Sequence, residues 1–512
     1  MTDIRQNNRR LAKNAFAMYL RNIITLLVSL YTTRIVLDLL GVEDFGIYNV
    51  ISGFVTMFSF VSGALSTATS RFLTFEIGRG NHTELRTVYQ TAFTILLIIA
   101  VIVVLLLESV GGWFITHKMV IPAERLYAAR IVFHFSVFTA FITLLQVPLT
   151  ALIISHERMQ AFALIGVSNV FVKLLTVFSL YFIPYDKLIV FSVFSMVNAL
   201  LLMFLCHQYC RGRFTEYQNS LLFDRTIFYK MMSFSGWSFI GSFANITKMQ
   251  GVNVLLNLFY GPAVNAARGI ALQVNLALSQ FTQSVSSSFS PQIIKYYSVG
   301  EKNRVLDLVC KGSIYSFVLL LFLSLPILFS TEFILSVWLK SVPKYTIWFC
   351  RLIIINSLID VFSFYLGDVV RATGEIKRYQ IAVGVIVLFN LPVSYIILSK
   401  GFSPLYTVIV SIMLSVFSLG VRCYLLKQQE NRFSISEYFM KVIGKALALS
   451  LISISFLFVL TLFDLSGWEG LIKVSAGTLF IVPMVSWKLV FTGEDRQKIN
   501  SLLKKKIYEK VF

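Results

Sequence analysis

Four basic side chains fall where hydropathy leaves no water to hold them: Arg21, Arg34, Lys248 and Arg268. A cation at the centre of a bilayer costs about 2.5–3.5 kcal/mol on insertion scales, so it faces a wet gap or a partner. Guanidinium groups match phosphate oxygens with parallel N–H donors, and ammonium groups bind them as point charges. The chemistry on offer is capture of an anion, with no bond made or broken. Polar residues accompany these cations at the i+3 and i+4 spacing of a single helical face. Asn22, Thr25, Ser29 and Thr33 form one stripe; Ser235, Ser238, Ser242 and Asn245 form a second, with Lys248 at its edge. Arg268, Asn275, Ser279, Thr282 and Ser286 form the third. Interhelical hydrogen bonding is the ordinary alternative for such stripes, and Arg34 has a simple alternative partner in Asp38 at i+4. Of the carboxylates, Asp360 shares a stripe with Asn356, Ser363 and Gly367 and could hold Na⁺ or a proton that couples transport. Glu108 and Asp368 lie near span ends and read as interfacial. Lys173 and Arg351 read as structural, and Arg130 as a cation reaching for the interface.

The elements that position these residues follow from composition. The chain has 512 residues, 57% hydrophobic and only 14% charged, with a mean hydropathy of +0.76. Soluble domains carry about 25% charged residues; here lipid must be the solvent for most of the surface. Only helices and closed barrels satisfy the backbone in hydrocarbon. Unbroken runs such as TILLIIAVIVVLLL at 94–107 lack the alternation of a barrel strand. The fold class is therefore an all-α polytopic membrane protein. Fourteen spans are expected, at 13–37, 46–70, 87–111, 127–150, 161–183, 188–207, 231–258, 263–289, 312–333, 346–369, 379–399, 405–426, 442–463 and 470–490.

With the N-terminus inside, 31 of the 45 Lys and Arg fall on inner segments and seven on outer loops. That bias places both termini in the cytoplasm and accounts for the net charge of +20 without nucleic acid. The basic segment LLKKKIYEK at 502–510 reads as a topology anchor that touches anionic membrane lipid. The five cysteines form no CxxC pair and the five histidines are scattered, so neither a metal centre nor a disulfide framework is expected. DFG at 44–46 stands without the other kinase signatures and lies in an expected turn.

Shifting the sequence by 220 residues keeps its punctuation in phase. Gly41 meets Gly261, Gly80 meets Gly300, Ser66 and Ser70 meet Ser286 and Ser290, and Pro184 meets Pro404. Arg158, Gln160 and Gln208 meet Arg378, Gln380 and Gln428. Internal repeats of this kind mark transporters. The expected organisation is an N-lobe of six spans (1–210), a parallel C-lobe of six (211–430), and an appended helix pair with a basic tail (431–512).

TTRIVLDLLGVEDFGIYNVISGFVTMF followed by SGALSTATSRFLTFEIGRGN resembles the N-terminal signature of bacterial polysaccharide (Wzx-like) flippases. These belong to the multidrug/oligosaccharidyl-lipid/polysaccharide (MOP) exporter superfamily. The resemblance implies a cytoplasmic-membrane transporter that turns a polyprenyl-pyrophosphate-linked oligosaccharide to the outer leaflet for O-antigen or capsule assembly. It implies rocking lobes, no cofactor beyond Na⁺ or H⁺ as coupling ion, and polysaccharide polymerase machinery as a partner. It also implies basic residues lining the lumen; by kind, span and depth Arg268, Lys248, Arg34 and Arg21 fill that role. A multidrug exporter would call for carboxylates and aromatics where this chain has cations. A lipid II or teichoic-acid precursor flippase differs only in cargo. A lipid-linked transferase or polymerase needs a sizeable outer loop, and the largest, near 112–126 and 334–345, are short.

Overall fold

The computed structural model describes residues 2–217, 221–461, 467–493, 495–497 and 501, with side chains from Leu20 onward apart from a scatter that includes Ser235 and Ser238. The basic segment 502–510 lies outside the described residues, as do the side chains of those two serines.

Among the described residues all regular structure is helical. The helices are α1 (Thr2–Thr56), α2 (Phe60–Arg79), α3 (His82–Leu106), α4 (Gly112–His117), α5 (Leu126–Ser155), α6 (Met159–Ser179), α7 (Lys187–Arg211), α8 (Arg225–Tyr260) and α9 (Pro262–Ser298). They continue as α10 (Lys302–Phe329), α11 (Thr331–Trp338), α12 (Thr346–Thr373), α13 (Ile376–Leu388), α14 (Asn390–Ser399), α15 (Tyr406–Gln429), α16 (Ile435–Tyr438), α17 (Lys445–Thr461) and α18 (Gly467–Leu489). Eleven helical segments of the described residues are long and apolar enough to cross a membrane, against the fourteen spans expected. One of the eleven, Leu20–Arg79, covers two expected spans. Helices α8 and α9, at 36 and 37 residues, are long enough and are not among the eleven. Asn245, Lys248, Gln250, Asn253 and Asn257 dilute the first, and Asn265, Arg268, Gln273 and Asn275 the second. Exposed Leu164, Leu175, Met413 and Leu451 show the lipid-facing character of the rest.

Repeated glycines share their backbone. Gly41 breaks α1 at φ 76, ψ 173, and Gly261 ends α8 at φ 76, ψ −176. Gly80 and Gly300 close their helices at φ 69 and φ 77. Each of the four has positive φ, which costs a glycine little and any side chain a good deal. Polar caps satisfy the free N–H groups at other helix starts. Asn81 caps α3 through the Glu84 amide, Asp186 caps α7 through the amides of Leu188 and Ile189, and Asp224 caps α8 through Ile227.

The chain divides into two compact units. The first comprises 1–273, 339–346 and 380–410, and the second 274–338, 347–379 and 411–512. Within the first, Arg125 ties three segments together. Its Nε donates to Asp44 at 2.7 Å and its Nη1 to Asp186 at 2.6 Å. The first residue of the DFG triplet is thus a clamp on the start of α5. Burial pushes the Asp186 carboxyl upward, but Arg125 and the two capping amides outweigh this and hold it below the usual range. Within the second unit, buried Tyr438 donates to the Phe362 carbonyl and shares a hydrogen bond with the Ser313 hydroxyl, and Ser316 bonds buried Tyr365. These four side chains satisfy their polar groups within the unit, as a dry interior demands.

Candidate functional site

Arg268 sits in the first unit near the start of α9. Only 7% of it is exposed, and its Nη2 donates to the Met249 carbonyl at 3.0 Å. Among the described residues no carboxylate pairs with it. That carbonyl belongs to the residue after half-buried Lys248, so the two cations predicted on separate helices come from one neighbourhood. Polar atoms nearby in sequence are also left over: Thr247 Oγ1 and Asn265 Oδ1 are buried without hydrogen-bond partners. Asn265 spends its amide on the Asn253 carbonyl at 2.6 Å and on Asn253 Oδ1 at 2.8 Å. A buried guanidinium with one neutral acceptor is an uncompensated charge, and such charges carry a penalty of several kcal/mol.

Arg21 belongs to a different contact. Its guanidinium lies 4.6 Å from the Phe162 ring centroid, and a Cβ on Gly166 would come within 2.5 Å of its Nε. Helix α6 therefore holds Arg21 through an aromatic face and a side-chain-free notch. On the same face of α1, Thr25 Oγ1 is buried with no partner, and Ser29 accepts a hydrogen bond from Gln273 of α9. Asn22 is exposed.

Arg34 is half-buried and makes no ion pair with Asp38. Asp38 is taken instead by Lys340, whose Nζ lies 2.6 Å from its Oδ2. The i+4 spacing was there, but a second basic group from the 339–346 loop reaches the same carboxylate. That carboxylate raises the Lys340 ammonium above its usual value, and Arg34 opposes the shift. Asn245 is exposed and donates within its own helix to the Gly241 carbonyl at 2.9 Å.

The remaining predicted residues lie in the second unit. Asn275 accepts from Ser357 Oγ at 2.7 Å, and half-buried Ser279 gives its carbonyl to Thr282. Asp360 accepts from Asn356 Nδ2 at 2.7 Å, while Asn356 Oδ1 accepts from Ser415 at 3.2 Å. Asp368 departs from its interfacial reading. It is 2% exposed, paired with Arg371 and bonded by the Ser290 hydroxyl. Helix α12 runs on to Thr373, so a residue placed at a span end is inside the helix and covered.

Sequence reasoning missed a glycine-lined seam in the first unit. A Cβ on Gly46 would stand 1.9 Å from the Pro262 carbonyl oxygen, one on Gly53 2.6 Å from Gln250 Oε1, and one on Gly269 3.2 Å from Asn49. Asn253 donates to the Asn49 carbonyl at 3.1 Å, and Asn257 accepts from the Val120 N–H at 3.0 Å and donates to the Val120 carbonyl at 3.2 Å. The stretch of α1 after Gly41 thus lies directly on α8 and α9. Gly46 is the last residue of DFG, and its small size is the signal that could have revealed the seam. A separate open groove of about 630 Å³ is lined by apolar groups, among them Phe54, Phe114, Leu255, Leu391 and Tyr395. It holds none of the cations and suits hydrocarbon.

Residues 11–297, more than half the chain, match the family described as polysaccharide biosynthesis protein. The chain belongs to this family. A relative within reach of sequence comparison is the uncharacterized membrane protein EpsK of Bacillus subtilis (strain 168), 20% identical over 293 residues. That match spans 57% of this chain and 57% of EpsK, little more than half the length of either. Among solved structures, the lipid II flippase MurJ in an inward closed conformation superposes with a TM-score of 0.66 at 14% identity, covering 93% of this chain and 98% of that one. The inward-facing conformation of a multidrug resistance MATE family transporter of the MOP superfamily gives 0.65 at 12%, covering 81% and 96%. The fold is that of the MOP exporters, and the polysaccharide-flippase resemblance read in the sequence is borne out. This family member is a multi-pass membrane protein with the fold of membrane flippases and exporters.

Proposed function

We propose that this polysaccharide-family transporter moves a polyprenyl-pyrophosphate-linked oligosaccharide from the inner to the outer leaflet of a bacterial cytoplasmic membrane, for assembly of a surface polysaccharide such as O-antigen or capsule. The observation that carries the reading is Arg268, buried to 7% exposure with one carbonyl as acceptor. A guanidinium in that state is stabilised by an incoming anion, and the pyrophosphate is the anionic part of such a cargo. Lys248 adds a second positive charge close by, and Arg34 and Arg21 extend the basic character along α1. Leftover acceptors and hydroxyls at Asn265, Thr247 and Thr25 suit sugar hydroxyls. A cationic drug would be repelled where this cargo is attracted, which disfavours multidrug export.

In this reading both termini are cytoplasmic, and residues 1–210 and 211–430 are the rocking halves of an alternating-access cycle. The 431–512 segment is an accessory pair with a basic tail that meets anionic lipid. Asp360, bonded to Asn356 and open on its other side chain oxygen to a cation or proton, is the coupling group for Na⁺ or H⁺. The polysaccharide polymerase machinery receives the product.

The test is complementation of a strain lacking its own flippase. Arg268→Gln and Lys248→Gln should each abolish surface polysaccharide while the protein inserts normally, and Arg268→Lys should retain part of it. Normal polysaccharide in both neutral variants defeats the proposal. Binding of lipid II by the purified protein, with no binding of other prenyl-pyrophosphate oligosaccharides, would reassign the cargo to a peptidoglycan precursor.

A further inference from the structure

Helix α6 carries a cation that the four predicted ones do not include. Lys173 lies mid-helix, and its side chain is exposed. In a membrane helix exposure has two meanings, lipid or a water-filled gap, and the helical wheel separates them. At 100° per residue, Lys173 stands about 180° from Leu164 and within about 20° of the side opposite Phe171 and Leu175. Those three are 68%, 49% and 68% exposed and mark the lipid face. Lys173 points away from it. It falls instead within about 40° of Phe162, Gly166 and Asn169. Phe162 and Gly166 hold Arg21, and Asn169 accepts from Asn198 Nδ2 of α7 at 2.7 Å. Lys173 is thus exposed on the side of α6 that faces α1 and α7.

Two contacts fix its level. Helices α1 and α6 run alongside each other, with Arg21 at Gly166 and the Tyr31 ring 6.1 Å from that of Phe178. Lys173 lies between these, level with the stretch of α1 from Thr25 to Ser29. The surroundings are polar and unsaturated: Asn198 Oδ1 and Thr25 Oγ1 are both buried with no hydrogen-bond partner. Among the described residues Lys173 has no ion-pair partner. Along α6 the order is thus Arg21 at Gly166, the Asn169–Asn198 pair, then Lys173.

We propose that Lys173 is a further anion-binding residue of this transporter, forming with Asn169 and Asn198 a subsite one step along α6 from Arg21 that takes a phosphate group of the cargo. The proposal rests on the flippase reading above and adds a station to it. A lysine suits a station of this kind, because a compact ammonium on a flexible stem can follow a moving phosphate where a fixed guanidinium fork holds it in place. The amide groups next to it offer donors and acceptors to the same group.

Two measurements test it. In full-length protein with its five native cysteines replaced, Lys173→Cys should react with a water-soluble anionic methanethiosulfonate reagent, and Leu175→Cys should not. An inert cysteine at 173 overturns the subsite whatever the cargo. Binding of farnesyl pyrophosphate and of inorganic pyrophosphate to the purified transporter is the second. Lys173→Gln should weaken binding about tenfold or more, the scale of one lost charge-assisted contact, with Lys173→Arg close to wild type. Weakening for both probes assigns the subsite to the phosphates; weakening for the prenyl probe alone assigns it to the lipid-linked form. Wild-type affinity in Lys173→Gln alongside weak binding in Arg268→Gln rejects the subsite and leaves the flippase reading standing. Loss of farnesyl pyrophosphate binding in Lys173→Arg rejects it too, since the role would then need a proton that arginine does not release. Failure of the wild type to bind either probe removes both readings.

Discussion

Replacing Gly46 by alanine has two effects of known size. Alanine in a helix interior is favoured over glycine by roughly 1 kcal/mol. Against that, the new Cβ would stand 1.9 Å from the Pro262 carbonyl oxygen and 2.5 Å from its carbon, so about 1.5 Å must open to restore ordinary contact. The obstacle is backbone at the start of α9, which cannot swing aside as a side chain can. Overpacking of this sort costs about 1–3 kcal/mol, and an immovable neighbour argues for the upper end. The propensity gain is the same with the seam open or closed and cancels, which leaves about 3 kcal/mol against the closed seam, or about 150-fold in its population. A cysteine pair at Val120 and Asn257, joined across the same closure, reports that population through its disulfide yield. Gly46→Ala should lower the rate of cross-linking by about that factor and reduce surface polysaccharide in complementation. The control is Gly63→Ala in α2, where a Cβ meets nothing within 4 Å. It should leave cross-linking unchanged and raise the melting temperature slightly. Unaltered cross-linking and full transport in Gly46→Ala would refute the reasoning, since the carbonyl contact could then be relieved without opening the seam.

Two further outcomes follow from named contacts. Gly166→Val fills the notch that receives Arg21 and should cut complementation as far as Arg21→Ala does, while membrane insertion stays normal by fractionation. Glu216 lies between spans, and burial raises its carboxyl, but its own backbone amide and His156 more than offset this and hold it low. A depressed folded-state value means stability that is present above about pH 4 and lost as pH falls through it. Melting temperature measured from pH 6 to pH 3 should therefore fall less steeply in Glu216→Gln than in the wild type.

The sequence spoke clearly wherever lipid dictated the answer. Long apolar runs without alternation left no fold class but helices, and the glycines 220 residues apart proved to share their backbone angles as well as their phase. The helices that carry the cations were legible for the same reason. Their partners were not. Arg21 depends on Gly166 because two helices happen to run side by side, a fact no single-helix periodicity carries. Asp38 answered to Lys340, some three hundred residues away, where i+4 spacing suggested Arg34. Asp368 was misplaced by a span boundary a few residues short. Lys173 reads as structural in sequence although its place opposite Leu164 and Leu175 is available from spacing alone; the exposure of those leucines says which side is lipid.

The seam and the buried cation are one structural event. Gly269, which lets Asn49 approach α9, follows Arg268 directly, so the contact that closes the seam helps remove the guanidinium from water. Burying it uncompensated opposes closure by several kcal/mol; an anion beside it removes that opposition. Binding and closure must then favour each other to the same degree, because coupling between two equilibria is reciprocal. Inorganic pyrophosphate should accordingly speed cross-linking of the Val120–Asn257 cysteine pair in the wild type. The acceleration should vanish in Arg268→Gln, whose closed state no longer needs a counter-charge and should cross-link faster than wild type without any anion. An Arg268→Gln protein that closes more slowly than wild type would mean that the guanidinium holds the seam shut through its Met249 contact, and the proposed link between charge and closure would be of the wrong sign.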